Sequence, residues 1–245
     1  MSTFLLNVSE TLDGILDGRA SVIQKKDGYR FSMDSLLLAG FFQCERSERV
    51  IDLGSGCGVI PIVLIKKMNV EKVHGLEVQE DLVNIARRSI VFNDLQNRVE
   101  ILHGDVKRVE EIFQKGSFDH VITNPPYRKV KTGRINPSVE KAIARHEILA
   151  TLEDFIGAAY KLLREGGKIT LIYSVERGVD IVYTLRAFRL EPKRLRLVYS
   201  CPQANAAFIL IEAVKGGGVE LKIEPSLFIY KDDGSYSDEV KTLIY

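Results

Sequence analysis

The segment from Val50 to Val214 predicts an α/β protein built on a doubly wound, mostly parallel sheet of seven strands. Short β-branched runs alternate with helix-length amphipathic runs, and such crossovers build parallel sheets covered on both faces. A glycine loop joins the first run to the first helix. The last two strands are joined by Ser200 to Ala206 alone, too short for a crossover helix, so the last strand should run antiparallel.

The elements follow in order. Val50 to Leu53 reads as a strand, Gly54 to Gly58 as the loop, and Val59 to Met68 as a helix. Lys72 to Glu77 is the second strand, and Gln79 to Asn93 a helix on which Leu82, Ala86 and Ile90 recur every fourth residue. Val99 to His103 and Phe118 to Thr123 are the third and fourth strands. Thr151 to Leu163 is a helix that Glu165-Gly166-Gly167 should stop, before a strand at Lys168 to Tyr173. A helix over Arg177 to Phe188 and strands at Leu195 to Tyr199 and Ala207 to Val214 complete the core. Ahead of it, Ala20 to Gln24 and Tyr29 to Phe31 bracket Lys26-Asp27-Gly28, a hairpin turn signal, and Ser32 can cap a helix running to about Phe42. After Gly216-Gly217-Gly218, Pro225 and Asp233-Gly234 imply extended segments and a turn, and Asp238 to Tyr245 a short helix. The expected organisation is a hairpin and helix in residues 1–45, a core in 46–215 and a tail packed on it in 216–245.

Composition narrows the class. The 245 residues carry a net charge of +1, so any contact with nucleic acid must come from a local patch. Three cysteines (Cys44, Cys57, Cys201) form no C-x-x-C pair and point to a reducing, cytoplasmic setting. No apolar stretch is long enough to span a membrane, and His74, His103, His120 and His146 show no metal-ligand spacing. Membrane and metal are therefore not expected. Oligomeric state is not legible.

Two motifs carry chemistry. In Asp52-Leu53-Gly54-Ser55-Gly56-Cys57-Gly58 the glycines let the backbone turn sharply and approach a ligand. Glu77 ends the next strand, at the spacing where an acid meets ribose hydroxyls in nucleotide-binding α/β folds. The dinucleotide fingerprint needs Gly or Ala where Val59 stands, which weakens a nicotinamide reading. Asn124-Pro125-Pro126-Tyr127 closes the fourth strand, at the sheet edge where open α/β sheets bind ligands. Prolines fix an extended backbone with bare carbonyls, Asn124 adds an acceptor, and Tyr127 offers a flat face. Two acceptors holding the hydrogens of a conjugated amine would turn its lone pair toward an electrophile. From Arg128 to Arg145 six basic residues (Arg128, Lys129, Lys131, Arg134, Lys141, Arg145) stand against one acid, Glu140. That reads as a cationic loop for phosphate contacts, or as a solvated loop. Lys25-Lys26 and Lys193-Arg194-Arg196 are weaker basic clusters.

The glycine loop, the acid at Glu77 and Gly104-Asp105 after the third strand resemble the Rossmann-like class I S-adenosylmethionine-dependent methyltransferases. The resemblance implies that Gly54, Ser55, Gly56 and Gly58 hold the methionine part of the cofactor, with Asp52 near its amino group. Glu77 and Val78 would meet the ribose, and Asp105 and Val106 the adenine. Asp105 can equally cap a helix over Val106 to Phe113, and both roles are possible at once. The tetrapeptide is similar to that of amino and amide nitrogen methyltransferases, implying Asn124 and Pro125 as acceptors, Pro126 beside them and Tyr127 as the stacking residue. Tyr29-Arg30-Phe31-Ser32-Met33-Asp34-Ser35-Leu36-Leu37-Leu38-Ala39, Ala144-Arg145-His146-Glu147 and Glu212-Ala213-Val214-Lys215-Gly216-Gly217 extend it. Together they resemble the bacterial tRNA1(Val) adenine-37 N6-methyltransferase family over nearly the whole chain. That implies a tRNA-modifying enzyme with tRNA as partner, an amino-terminal segment that covers the cofactor, and contacts from Arg30 and Phe31. Met33-Asp34-Ser35-Leu36 departs from the proteobacterial form. A protein glutamine N5-methyltransferase, another nucleic-acid amino methyltransferase and a silent RNA-binding module are the alternatives. The few residues before Val50 favour the tRNA reading over the glutamine enzymes, which carry a larger helical amino-terminal domain.

Overall fold

The computed structural model describes residues 6–28, 30–127 and 149–244. Its main sheet has nine strands among the described residues. Seven form the expected core: β3 (Val50–Leu53), β4 (Val73–Glu77), β5 (Val99–His103), β6 (Phe118–Thr123), β7 (Leu163–Ser174), β8 (Leu190–Tyr199) and β9 (Ala206–Lys215). They lie in the order β8-β9-β7-β6-β3-β4-β5, and β9 alone runs against its neighbours β7 and β8. The tail adds β10 (Lys222–Ile223) and β11 (Leu227–Phe228), both parallel to β8.

Helices cover both faces. On one side lie α1 (Met33–Phe41), α2 (Val59–Lys67), α3 (Glu80–Phe92) and the terminal α6 (Asp238–Ile244). The other face carries α4 (Leu152–Leu162), α5 (Gly178–Ala187) and a 3-10 segment over Val106–Glu111. Helix α2 is buried along most of its length, which suits its near-continuous Ile/Val/Leu sequence. Helix α3 buries only the Leu82, Ala86 and Ile90 stripe with its neighbours.

Two boundaries differ from the sequence expectation. The hairpin pairs β1 (Glu10–Ile15) with β2 (Ala20–Lys25) and turns at Leu16-Asp17-Gly18, all at positive φ (53°, 54° and 77°). Asp-Gly occurs at 13–14, 17–18 and 27–28 in this stretch; the first lies within β1, and the last lies outside the hairpin because α1 begins five residues after Gly28. Arg30 and Phe31 belong to no strand. Likewise, Glu165-Gly166-Gly167 does not stop α4. Leu163 already turns extended (φ −71°, ψ 135°), and the glycines fall in the irregular start of β7. The other end of α4 has a full capping box: Thr151 Oγ1 accepts from Asp154 N at 3.3 Å while Asp154 Oδ2 accepts from Thr151 N at 2.8 Å.

Polar groups on α3 hold the hairpin. Ser21 N donates to Asn93 Oδ1 at 3.0 Å, Ile23 N donates to Ser89 Oγ at 2.9 Å, and Arg88 grips Glu10 with two bonds of 2.7 and 2.8 Å. Backbone groups on the edge of β2 are thereby covered rather than left to pair with another chain. Chiefly through the Arg88 hydrogen bond, the Glu10 carboxyl is lowered from 4.5 to about 2. A depressed acid contributes stability that is complete above pH 4.5 and lost as pH falls toward 2. Glu10→Gln is expected to cost about 1.5–3 kcal/mol at pH 7 and to flatten melting temperature against pH across that acid window. A thermal melt series from pH 7 to pH 2 checks it.

The basic cluster on β8 is structural. Arg194 pairs with Glu212 and Glu224, Arg196 with Glu239, and Lys193 Nζ donates to Gly218 O, so these cations tie the tail to the sheet. Lys25 pairs with Asp81, and Lys26 Nζ donates to Val8 O.

Candidate active site

The site lies at the carboxyl ends of β3, β4, β5 and β6, around a cavity with about 650 Å³ of open space. Its lining includes Gly54, Gly56, Glu77, Val78, Asp105, Val106, Asn124 and Pro126, so eight of the sequence-selected residues meet there. A parallel sheet places these strand ends side by side although the residues are far apart in the chain.

The glycine loop folds over the end of β4. Gly54 N and Ser55 N both donate to Leu76 O, at 2.8 and 3.1 Å. Gly58 closes the loop at φ 83°, where a Cβ would be strained and would press on Ala86 at 3.2 Å. Glu77 takes the loop's next amide: Gly56 N donates to one carboxylate oxygen and Gln79 N to the other, each at 2.9 Å. Burial raises the Glu77 carboxyl above its ordinary value despite these bonds. Asp52, fully buried at the end of β3, is pushed up much further, first by burial and then by the charge of Glu77. Neither of its oxygens has a hydrogen-bond partner, nor does the buried Ser55 Oγ.

Asp105 takes the capping role considered from sequence: Lys107 N donates to its Oδ1 at 2.9 Å. The segment it caps is a 3-10 turn ending at Glu111 rather than a helix to Phe113. Asp105 also lines the cavity.

At the end of β6, Thr123 Oγ1 donates to Leu53 O at 2.7 Å and fixes the strand exit beside the glycine loop. Asn124 follows. Its Oδ1 is buried and has no partner, whereas Nδ2 donates to Ser35 Oγ at 3.3 Å. Behind the prolines, Tyr173 Oη donates to Pro126 O at 3.4 Å and accepts from an Arg177 guanidinium nitrogen at 2.6 Å. Tyr127 is half-buried, edge-on to Tyr173 and Phe208 with ring centroids 6.3 and 6.1 Å away. Tyr173→Phe would release the Pro126 carbonyl. It is expected to lower turnover about 2–10-fold, the worth of one net hydrogen bond, with cofactor affinity unchanged; steady-state kinetics beside calorimetry tests this.

Some selected residues stand apart. Arg30 bonds Asp13 and Thr11 of the hairpin, and Phe31 N donates to Gln24 Oε1 at 2.8 Å; neither residue lines the cavity. Asp52, Ser55, Gly58, Pro125 and Tyr127 are not part of that lining. Arg128, Lys129, Lys131, Arg134 and Arg145, with Lys141 and His146, lie outside the described residues. Sequence reasoning missed Ser35, Tyr173 and Arg177, as well as Gln79, Leu82 and Phe155 in the lining. Phe155 sits against Gly54, 3.2 Å from where its Cβ would be.

Comparison with known proteins agrees with this geometry. A family model described as the methyltransferase small domain matches residues 29–186. The chain belongs to that family. A tRNA1(Val) (adenine(37)-N6)-methyltransferase of Dyadobacter fermentans is 23% identical over 89% of both chains. One of Porphyromonas gingivalis is 28% identical over 67% of this chain and 65% of its own. Among solved structures, a predicted O-methyltransferase from Agrobacterium tumefaciens superposes with a TM-score of 0.69 at 26% identity, covering 86% of this chain and 94% of its own.

The protein is thus an S-adenosylmethionine-dependent methyltransferase with the Rossmann-like fold. The cavity suits that cofactor. Its glycine loop admits a close ligand, and its apolar walls at Leu76, Val78, Leu82 and Phe155 fit flat or aliphatic parts. Among the described residues no helix is long and apolar enough to cross a membrane, and no cluster of acids, histidines and cysteines could hold a metal.

Proposed function

We propose that this methyltransferase acts on the exocyclic N6 of an adenine in tRNA, at anticodon-loop position 37 of tRNA1(Val) as in its named relatives. The observation that carries the reading is the Asn124 carboxamide, with a buried, unpartnered Oδ1 at the strand exit lining the cavity. A conjugated amine is a poor nucleophile until its two hydrogens are held. Asn124 Oδ1 takes one and the Pro125 carbonyl the other, while the Pro126 carbonyl is engaged by Tyr173. The aromatic face of Tyr127 supports the base ring. When bound, the cofactor supplies an electrophilic methyl group. The protein contributes position and electrostatics, which can be worth about 7–11 kcal/mol at their upper limit.

In this reading Gly54, Ser55, Gly56, Gly58 and Asp52 hold the methionine part, Glu77 and Val78 the ribose, and Asp105 and Val106 the adenine. In the same reading residues 1–45 cover the cofactor, although Arg30 and Phe31 bond the hairpin instead of lining the cavity, residues 46–215 carry the chemistry and the tail 216–245 braces the core. Arg128, Lys129, Lys131, Arg134 and Arg145 meet tRNA phosphates, and a loop adenine can be extruded at modest cost.

The test is transfer of labelled methyl groups from S-adenosylmethionine to unmodified tRNA and, separately, to a protein extract, followed by digestion. N6-methyladenosine is expected. Label in methylglutamine instead would replace this reading with the protein glutamine one.

A further inference from the structure

A carboxamide has an acceptor end and a donor end, and its terminal torsion is nearly two-fold. Turned one way, Asn124 offers Oδ1 to an amine. Turned the other way it offers N–H to N–H, and two donors repel. A site that grips an amine therefore has to decide which end faces it.

In this structure the carboxamide is held from outside the cavity lining. Nδ2 donates to the Ser35 hydroxyl at 3.3 Å, leaving Oδ1 buried and unpartnered. Ser35 lies 89 positions earlier in the chain, in the first turn of α1, and is 4% exposed. It does not line the cavity and has no contact of its own to offer a ligand there. Its place is firmly set: Ser35 N donates to Asp34 Oδ1 at 2.9 Å and to Ser32 O at 3.2 Å. The Ser32 hydroxyl bonds the same Asp34 oxygen, and Asp34 is itself buried. The start of α1 is thus a small polar knot, with Asp34 and Ser35 buried and Ser32 at the surface, that presents one hydroxyl to Asn124.

We propose that Ser35 is a positioning residue for methyl transfer: its hydroxyl, bonded to Asn124 Nδ2, holds the carboxamide with Oδ1 free for the nitrogen that receives the methyl group. The assignment of Oδ1's occupant rests on the function proposed above, whereas the orientation itself does not. The closing experiment separates the two.

Hydrogen exchange of the Asn124 side-chain amide reports the orientation without substrate, its signal assigned by its absence in Asn124→Asp protein. Ser35→Ala is expected to speed that exchange about 2–10-fold, and unchanged exchange would overturn the inference whatever the enzyme methylates. With tRNA, Ser35→Ala is expected to lower kcat by the same factor, leaving KM for tRNA and Kd for S-adenosylmethionine within about twofold. The Asn124→Asp background supplies the control, because both carboxylate oxygens accept and no orientation needs setting. There Ser35→Ala should cost less than about twofold further. An equal loss in both backgrounds would mean that Ser35 only supports the fold. If wild-type enzyme labels glutamine rather than adenine, the substrate reading falls, and the exchange measurement still decides the role of Ser35.

Discussion

Asn124→Ala will lower methyl transfer to tRNA by about 10²–10³-fold, comparable to removing one preorganised donor from an oxyanion hole. Two features set the size. Oδ1 is an acceptor with no other partner, so deletion leaves nothing nearby to take the amine hydrogen. It is also buried, so water cannot replace it at the same strength. Thr123, not Asn124, ties the strand exit to Leu53. Cofactor affinity and melting temperature should therefore stay near wild type. Single-turnover transfer, calorimetry with S-adenosylmethionine and a thermal melt measure the three quantities. Turnover within about tenfold of wild type would remove the acceptor mechanism.

Asp52→Asn should separate stability from binding. Burial and the charge of Glu77 raise the Asp52 carboxyl well above 3.8 in the folded protein. For an acid raised on folding, the folded state holds the proton to higher pH than the unfolded chain does. Stability therefore falls as pH climbs above 3.8 toward the raised value. Replacing the carboxyl removes that penalty, so the cofactor-free variant is expected to melt higher at neutral pH. For a chain of this size the rise is about 2–4 °C for each kcal/mol relieved. In the proposed site the same change removes the charge facing the cofactor's amino group, worth about 10–100-fold in affinity at one charge-assisted hydrogen bond. Melts with and without S-adenosylmethionine give both results from one sample. A variant that melts lower alone, or keeps its cofactor-induced shift, would refute this account of Asp52.

The regular part of the fold was legible because its signal is local. Strand β5 (Val99–His103) and β6 (Phe118–Thr123) lie where the apolar runs placed them, and α3 carries its predicted stripe. The antiparallel β9 followed from a connection too short to cross the sheet. The hairpin differs because Asp-Gly occurs three times in the first 28 residues and local sequence does not choose among them; β1 pairs with β2 around the second, with Glu10 of β1 held by Arg88 and β2 held by Ser89 and Asn93. The end of α4 was misread because a buried Leu163 can turn extended and pair with Phe118 before any glycine is reached.

The candidate site divides in the same way. Gly54, Gly56, Glu77, Asp105 and Asn124 lie at strand ends, which a sequence pattern can mark, and they line one cavity. Ser35 and Tyr173 left no such mark. A serine in an apolar helix and a tyrosine in a strand both read as packing, and their bonds to Asn124 and Pro126 span 89 and 47 residues.

Helix α1 joins the site to the far end of the described chain. Ser35 in its first turn meets Asn124, while toward its other end Gly40 lies against Leu243 of α6, whose side-chain end a Cβ at Gly40 would displace. The last residues of the chain thus act as a backstop for the helix that orients Asn124. In the role proposed for Ser35, a change at Leu243 would be felt at Asn124 through α1, although the two lie far apart along the chain. Gly40 cannot readily gain a side chain, nor Leu243 change its shape, unless the other gives way.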